Sequence, residues 1–353
     1  MMYYLLPVFS YFLFALQEKR IKPVSFIWFI ASTFLLFVLL IGMFRGIGIG
    51  TDYYSYYYIF KAESDIEIGF VELIRFVKYL GGNFQVFISF IFLSSFLIKI
   101  YFFQKISPIP YISLMIYLGF WFLVYDMNGI RQGLAMSITL AASWYLLRNE
   151  KKTYFLLVLL AILFHYSAIV FLPFVFILKK EFSNKTAIIL VGVFLLIAQF
   201  NISESITMYI INFLGFDNVV AEKISTYSRD TLYNANVLHS FSTIHRLFIM
   251  GCIMYLLPKV SMNPALRNLL LWASVISILL YLLFCNIEII ATRLSLYYRF
   301  FECISLACFP LAFAKNNSRL FVGGILLLYV IFQVMSTLNV DGGSNLEPYY
   351  FCF

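Results

Sequence analysis

Long apolar runs separated by short polar breaks organise this chain. They lie near residues 1 to 16, 25 to 44, 83 to 101, 109 to 126, 131 to 147, 186 to 201, 241 to 257, 266 to 285, 294 to 314 and 319 to 338. A hydrocarbon core about 30 Å thick is crossed by about 20 apolar residues in a helix, so each run is long enough to cross or nearly cross it. The pattern predicts about ten transmembrane helices. A further apolar stretch, 153 to 178, is broken at its centre by Phe164-His165-Tyr166-Ser167.

That break admits two topologies. If 153 to 178 crosses fully, Lys and Arg divide almost evenly between the two sides. If it dips in and returns, the basic residues gather on the inner side in or beside short loops, as the positive-inside rule requires. Lys99, Lys179, Lys180, Lys185, Lys259 and Arg267 are then among the inner ones. The re-entrant helical hairpin is therefore preferred, with both termini outside and His165 facing the interior, because a polar break at membrane depth needs protein or water around it. The expected fold is all-α: one polytopic membrane domain over 1 to 353, with outer loops at 45 to 82 and 201 to 240. The tyrosine-rich loop 45 to 58, the turn 126 to 132, the segment 286 to 299 and the C-terminal tail share that outer face. The inner loops hold no carboxylate cluster and no Gly-rich turn for a nucleotide, so chemistry is expected outside.

Composition agrees with lipid as the solvent. Of 353 residues, 63% are apolar and 12% charged, against about 25% charged in a soluble domain. The formal net charge of +8 sits in short clusters between apolar runs, which marks topology and excludes a nucleic-acid footprint. Cys252, Cys285, Cys303, Cys308 and Cys352 form no CxxC pair. His165, His239 and His245 are scattered, so no metal site and no cofactor is expected. Residues 1 to 16 precede the basic Lys19-Arg20-Ile21-Lys22, the reverse of a cleavable signal peptide, and read as a first span with its N-terminus outside.

Candidate chemistry lies at the breaks. Arg45 precedes alternating Gly46, Gly48 and Gly50, then Thr51, Asp52, Tyr53 and Tyr54. Glycines let backbone amides approach an anion, and tyrosines suit a sugar, although an interfacial aromatic belt also explains them. In the stretch 65 to 75, Phe70, Leu73, Ile74 and Val77 fit one helical face. Glu67 and Glu72 there serve either acid/base work or a solvated face. Asp126-Met127-Asn128-Gly129-Ile130-Arg131-Gln132 places charges between two apolar runs, where ionisable groups usually have a task. Arg131 offers a fork of donors for phosphate or carboxylate at a helix start; the bland alternative is an Asp126 to Arg131 ion pair. His165 is a proton acceptor or a satisfied core histidine. Glu288, Arg293, Tyr297, Tyr298, Arg299 and Glu302 gather late in the chain, where Arg299 and Glu302 pair at i,i+3 spacing and Arg293 is the freer anion ligand. The loop 201 to 240, with Glu222, Lys223, Arg229 and Asp230, is the longest polar insertion.

In order, these motifs resemble the EpsG family of membrane polysaccharide polymerases, a branch of the Wzy-type O-antigen and capsule polymerases. The likeness rests on Arg45 with Gly50-Thr51-Asp52 and Tyr53, Glu67-Ile68-Gly69-Phe70, Asn128-Gly129-Ile130-Arg131-Gln132, Phe164-His165-Tyr166-Ser167, and Arg293 to Arg299. The resemblance implies a glycosyltransferase of the bacterial inner membrane, similar to the GT-C class, acting on the periplasmic side without nucleotide sugar or metal. It implies transfer of a growing glycan from one undecaprenyl diphosphate carrier to the nonreducing end of a repeat unit on another. The demands of that reaction give Arg45, Arg131 and Arg293 to the diphosphate and either Asp52 or His165 to the acceptor proton. Tyr53, Glu67, Glu72, Asn128, Gln132, Tyr298 and Arg299 would line the substrate. Partners expected are the lipid-linked oligosaccharides, the bilayer and a chain-length regulator. The rival class is a lipid-linked oligosaccharide flippase or other transporter, which commonly shows two related halves; no internal repeat is found.

Overall fold

The structure, a computed structural model, describes residues 2–17, 25–63, 66–200, 205, 209, 237–339 and 345–353. The described residues are helical, with no strand beyond a single antiparallel bridge between Arg45 and Phe351. Helices satisfy every backbone group within the segment, which lipid demands. The loop 201 to 240 lies outside the described residues over almost all its length, as do Lys19, Arg20 and Lys22.

The chain divides into two compact units, one formed by Met1–Leu172 with Cys303–Phe353 and the other by Pro173–Glu302. Unit 1 holds α1 (Met2–Gln17), α2 (Ser25–Met43), α3 (Tyr53–Ala62), α4 (Ile68–Tyr79), α5 (Phe84–Ile106), α6 (Pro110–Ile116), α7 (Ile130–Leu147), α8 (Lys151–Phe164) and, after the second unit, α15 (Asn316–Leu338). Unit 2 holds α9 (Phe174–Ile177), α10 (Asn184–Gln199), α11 (Phe241–Leu256), α12 (Pro264–Leu283) and α13 (Glu288–Arg299). A short α14 (Glu302–Ala307) leads the chain back into unit 1.

Phe84–Ile106, Phe241–Lys259, Pro264–Leu283 and Asn316–Leu338 are long and apolar enough to cross a membrane. The other expected spans, α2 with its 19 residues apart, are shorter or broken. The run 109 to 126 begins as α6 at Pro110 and continues as a π-helix over Tyr117–Asp126; such segments cluster at functional sites. The run 294 to 314 is not one helix. It divides into the end of α13, α14 and a 3-10 turn at Phe309–Ala312, where Pro310 removes a backbone donor.

The expected break in 153 to 178 is present. α8 stops at Phe164, His165 is extended, and a 3-10 turn over Tyr166–Phe171 folds back along α8, where the Tyr154 hydroxyl donates to the Phe171 carbonyl. In unit 1, α7 packs between α5 and α8, and α4 lies on α8. Gly69 permits that last approach, since a Cβ there would stand 2.7 Å from the Leu163 carbonyl oxygen. In α4, Phe70, Ile74 and Val77 are buried, the face that the spacing predicted. In unit 2, α12 packs against α10, α11 and α13.

Candidate active site

The unit 1 site is assembled on the turn between the π-helix and α7. Asp126 ends the π-helix and is buried, as are Met127, Asn128 and Ile130. The anticipated Asp126 to Arg131 pair is not formed. Asp126 is held by the Lys99 ammonium, 2.7 Å from each carboxylate oxygen, by the Ser95 hydroxyl at 2.6 Å and by the Tyr117 hydroxyl at 2.6 Å. Lys99 is therefore no loop lysine: it lies well inside α5 and is 0% exposed. Burial removes both charges from water, so they close on each other across the helices, with the Ser95 and Tyr117 hydroxyls completing the carboxylate's hydrogen bonds.

Arg45 follows the end of α2, whose last carbonyl, on Met43, accepts from the Gln85 amide at 2.6 Å and the Ser89 hydroxyl at 2.5 Å. Its guanidinium donates to the Met127 carbonyl. Arg45 is 1% exposed, its Nε has no hydrogen-bond partner among the described residues, and no described carboxylate reaches ion-pair distance. Burial pushes its pKa down to about 10, with Tyr56, Tyr53 and Tyr349 pulling the other way. At neutral pH it remains a buried cation, attracted by the more distant Asp126 but with no described carboxylate at ion-pair distance.

The glycines after Arg45 serve a close approach. Gly50 has φ +101°, and a Cβ there would stand 2.7 Å from Asn128 Oδ1. Next to it the Thr51 amide donates to Asn128 Oδ1 at 2.8 Å, while the Asn128 side chain donates to the Leu123 carbonyl at 3.3 Å. From the other side the C-terminal tail locks the loop. Gly46 N donates to Tyr350 O at 2.8 Å, Gly50 N to Asn345 O at 2.9 Å, Cys352 N to Phe44 O at 3.0 Å, and the Tyr349 hydroxyl to Ile41 O at 2.7 Å. The sequence placed this tail on the same face as the loop and found no part for it; backbone pairing leaves no trace in residue identity.

Arg131, in the first turn of α7, pairs with Glu67 at 2.5 Å and lies 5.8 Å from the Tyr56 ring centre and 5.9 Å from that of Phe70. One residue on, Gln132 donates to the Ser167 hydroxyl at 3.4 Å, and that hydroxyl is 2.6 Å from His165 Nδ1. Asp52 caps α3 without a side-chain cap bond and has no ion pair among the described residues. Tyr53 is buried beside it, edge-on to Phe84 at 5.2 Å. Unit 1 thus brings Arg45, Asp52, Tyr53, Glu67, Asn128, Arg131, Gln132 and His165 around one turn. Glu72 goes elsewhere: it lies on the exposed side of α4, 2.7 Å from Arg75, as a solvated face explains.

Unit 2 holds the other candidates. Arg293 is exposed on α13, whereas Tyr298 and Arg299 are buried, with Arg299 3.4 Å from Glu302. Beside them is a residue not singled out from the sequence. Arg246, on α11, is buried, stands 3.9 Å from the centre of the Tyr281 ring and donates to Ser295 Oγ at 3.1 Å. A charged residue within an apolar run is the signal that marks both Arg246 and Lys99. Among the described residues no group of three His, Cys, Asp or Glu is placed to hold a metal ion.

Comparison with known families decides the affiliation. The EpsG family profile matches residues 4–351, nearly the whole chain. The chain belongs to the EpsG family. Comparisons with curated proteins and with solved structures return no match. EpsG proteins are associated with Wzy-type polymerase-like membrane proteins, so polysaccharide biosynthesis in a membrane, by a glycosyltransferase-like polymerase, is the coarse assignment. The EpsG profile spans both units, and so covers the turn carrying Arg131 as well as the late segment carrying Arg293.

Proposed function

We propose that this EpsG protein is a polysaccharide polymerase that transfers a glycan from one undecaprenyl diphosphate carrier to the nonreducing end of a repeat unit on another. The observation that carries this reading is Arg45: a guanidinium 1% exposed, without a described carboxylate partner, beside buried tyrosines. Leaving a charge buried and unpaired costs several kcal/mol, and an anionic ligand offsets that cost. Asp126 is neutralised by Lys99 and Glu67 by Arg131, which leaves, among the described residues of the unit 1 site, Arg45 as the buried cation without an ion pair and Asp52 as the carboxylate without one.

The chemistry follows from these side chains. The acceptor hydroxyl oxygen bonds to the anomeric carbon of the donor as the bond from that carbon to the diphosphate oxygen breaks. The diphosphate leaves with the bonding electrons, and Arg45 and Arg131 meet its charge without requiring a divalent ion. The hydroxyl proton passes to Asp52 or His165; Asp52 is the one whose carboxylate is unengaged among the described residues. Two lipid diphosphates take part, and Arg293 is assigned to one of them by its chemistry. Asn128, Gln132, Glu67 and Tyr53 line the unit 1 substrate site; Tyr298 and Arg299, in unit 2, are assigned to substrate by their chemistry alone.

The orientation belongs to the same proposal: about ten spans and a re-entrant hairpin in a GT-C-like arrangement, in the bacterial inner membrane, with the site toward the periplasm. Reporter fusions at Lys180 and Asn218 then report opposite sides; same-side results defeat it. The functional test is Arg131→Ala in cells. Polymer disappears while single repeat units remain on the outward-facing carrier. Accumulation of those units on the cytoplasmic side would instead identify a flippase.

A further inference from the structure

We infer that unit 2 carries a second binding site, for the phosphate headgroup of an anionic phospholipid, at the end where α10 and α12 begin. A cavity of about 690 Å³ opens there, lined by Ser183, Asn184 and Lys185 from the start of α10 and by Arg267, Asn268 and Leu271 from α12. None of these residues belongs to the proposed polymerase chemistry.

The wall of this cavity is already built. The loop before α10 is tied to α12 by Asn268, whose Oδ1 accepts the Phe182 amide at 2.8 Å and whose Nδ2 donates to the Lys180 carbonyl at 3.0 Å and the Leu178 carbonyl at 3.3 Å. Trp272 Nε1 donates to the same Lys180 carbonyl at 3.0 Å, with its ring edge-on to Phe182 at 5.2 Å. A rim held by four hydrogen bonds needs no ordering when a ligand arrives, which is how preorganisation raises affinity.

The charge selects an anion. Arg267 and Lys185 line the cavity, and Lys179, Lys180 and Lys259 belong to the segments that bound it, against the single carboxylate of Glu181. Arg267 donates to the Val260 carbonyl at 2.9 Å, but its Nε is buried with no hydrogen-bond partner among the described residues. A guanidinium with an unmet donor in the cavity wall favours an anion in that cavity. The N-terminal ends of α10 and α12 add their dipoles in the same sense.

The surroundings select a lipid over a soluble phosphate. Just past Lys185, α10 presents Ile188, Ile189, Val193 and Leu196 as an exposed apolar strip, a path for acyl chains. Tyr255 is exposed at the end of α11 with the Lys259 ammonium 3.3 Å from its ring centre, the amphipathic pairing of a membrane interface. Basic pockets of this kind, on the side where positive loops gather, bind anionic headgroups.

The test uses the purified full chain in neutral detergent, read by native mass spectrometry and thermal unfolding. Phosphatidylglycerol binds and stabilises about tenfold more tightly than phosphatidylcholine, and the double variant K185Q/R267Q loses that preference. Lys185→Glu alone, at an exposed position whose side chain makes no hydrogen bond or ion pair among the described residues, weakens phosphatidylglycerol binding with an unchanged melting temperature before lipid is added. Equal binding of the two lipids, or a preference that survives both variants, overturns the site. Inorganic phosphate giving the same stabilisation at equal phosphate concentration overturns the lipid assignment.

Discussion

The Lys99 ammonium, wholly buried within α5, lies 2.7 Å from both carboxylate oxygens of Asp126 at the end of the π-helix. This pair anchors the turn on which the unit 1 site is built, because Met127 and Asn128, which receive Arg45 and Thr51, are the next two residues. Lys99→Met or Asp126→Asn leaves the opposite charge buried alone, at a cost of about 3 to 5 kcal/mol. Each single variant is expected to lose thermal stability and abundance. The double variant K99M/D126N recovers much of that loss; a double variant as unstable as the sum of the two would refute the pairing.

Arg45→Met removes a charge that has no described carboxylate partner, so the protein remains folded and at normal abundance while polymer is lost. Arg45→Lys is expected to fail as well, since an ammonium lacks the planar fork of donors. The measurement is the polymer ladder on gels beside the level of membrane-extracted protein. A long ladder with Arg45→Met would remove Arg45 from the site.

Glu67 and Arg131 are coupled across 64 positions of sequence. Glu67→Gln releases a second guanidinium, and Arg131→Ala leaves a carboxylate next to buried Phe70. The two effects on polymer formation are therefore non-additive, with an interaction of about 0.5 to 3 kcal/mol in a double-mutant cycle. Additive effects would show that the pair is incidental. Glu72→Gln, on the exposed side of α4, leaves polymer formation unchanged.

Gly50→Ala meets two obstacles, a positive φ and contact with Asn128 Oδ1. It is expected to cost about 1 to 3 kcal/mol and to reproduce the phenotype of Asn128→Ala, because both break the hydrogen bond that the Thr51 amide donates to Asn128 Oδ1. Limited proteolysis near residue 50 reports the loosened loop.

Removing residues 345–353 deletes the backbone partners of Gly46, Gly50 and Phe44 and exposes Arg45 to solvent. Polymer is lost although every helix of unit 1 is retained, as assayed by the ladder and by abundance in the membrane fraction. Full polymer from the shortened chain would show that the tail has no part in holding Arg45.

From the sequence alone one learns that the chain is helical and lipid-embedded, that the apolar stretch breaks at His165, and that Arg45, Asp52 and Arg131 sit at positions where charge needs a purpose. Those are local properties: hydropathy over about 20 residues, or one polar residue inside an apolar run, is visible without knowing what lies opposite. Only the tertiary structure decided that Asp126 turns to Lys99 and not to Arg131, that Glu67 and not Glu72 meets Arg131, that Arg246 joins unit 2, and that the C-terminal tail seats Arg45. Each of these is a contact between residues distant in sequence. The physical reason is that charge pairing in a low-dielectric interior depends on which side chains packing brings within about 3 Å, and separation along the chain carries no information about that distance.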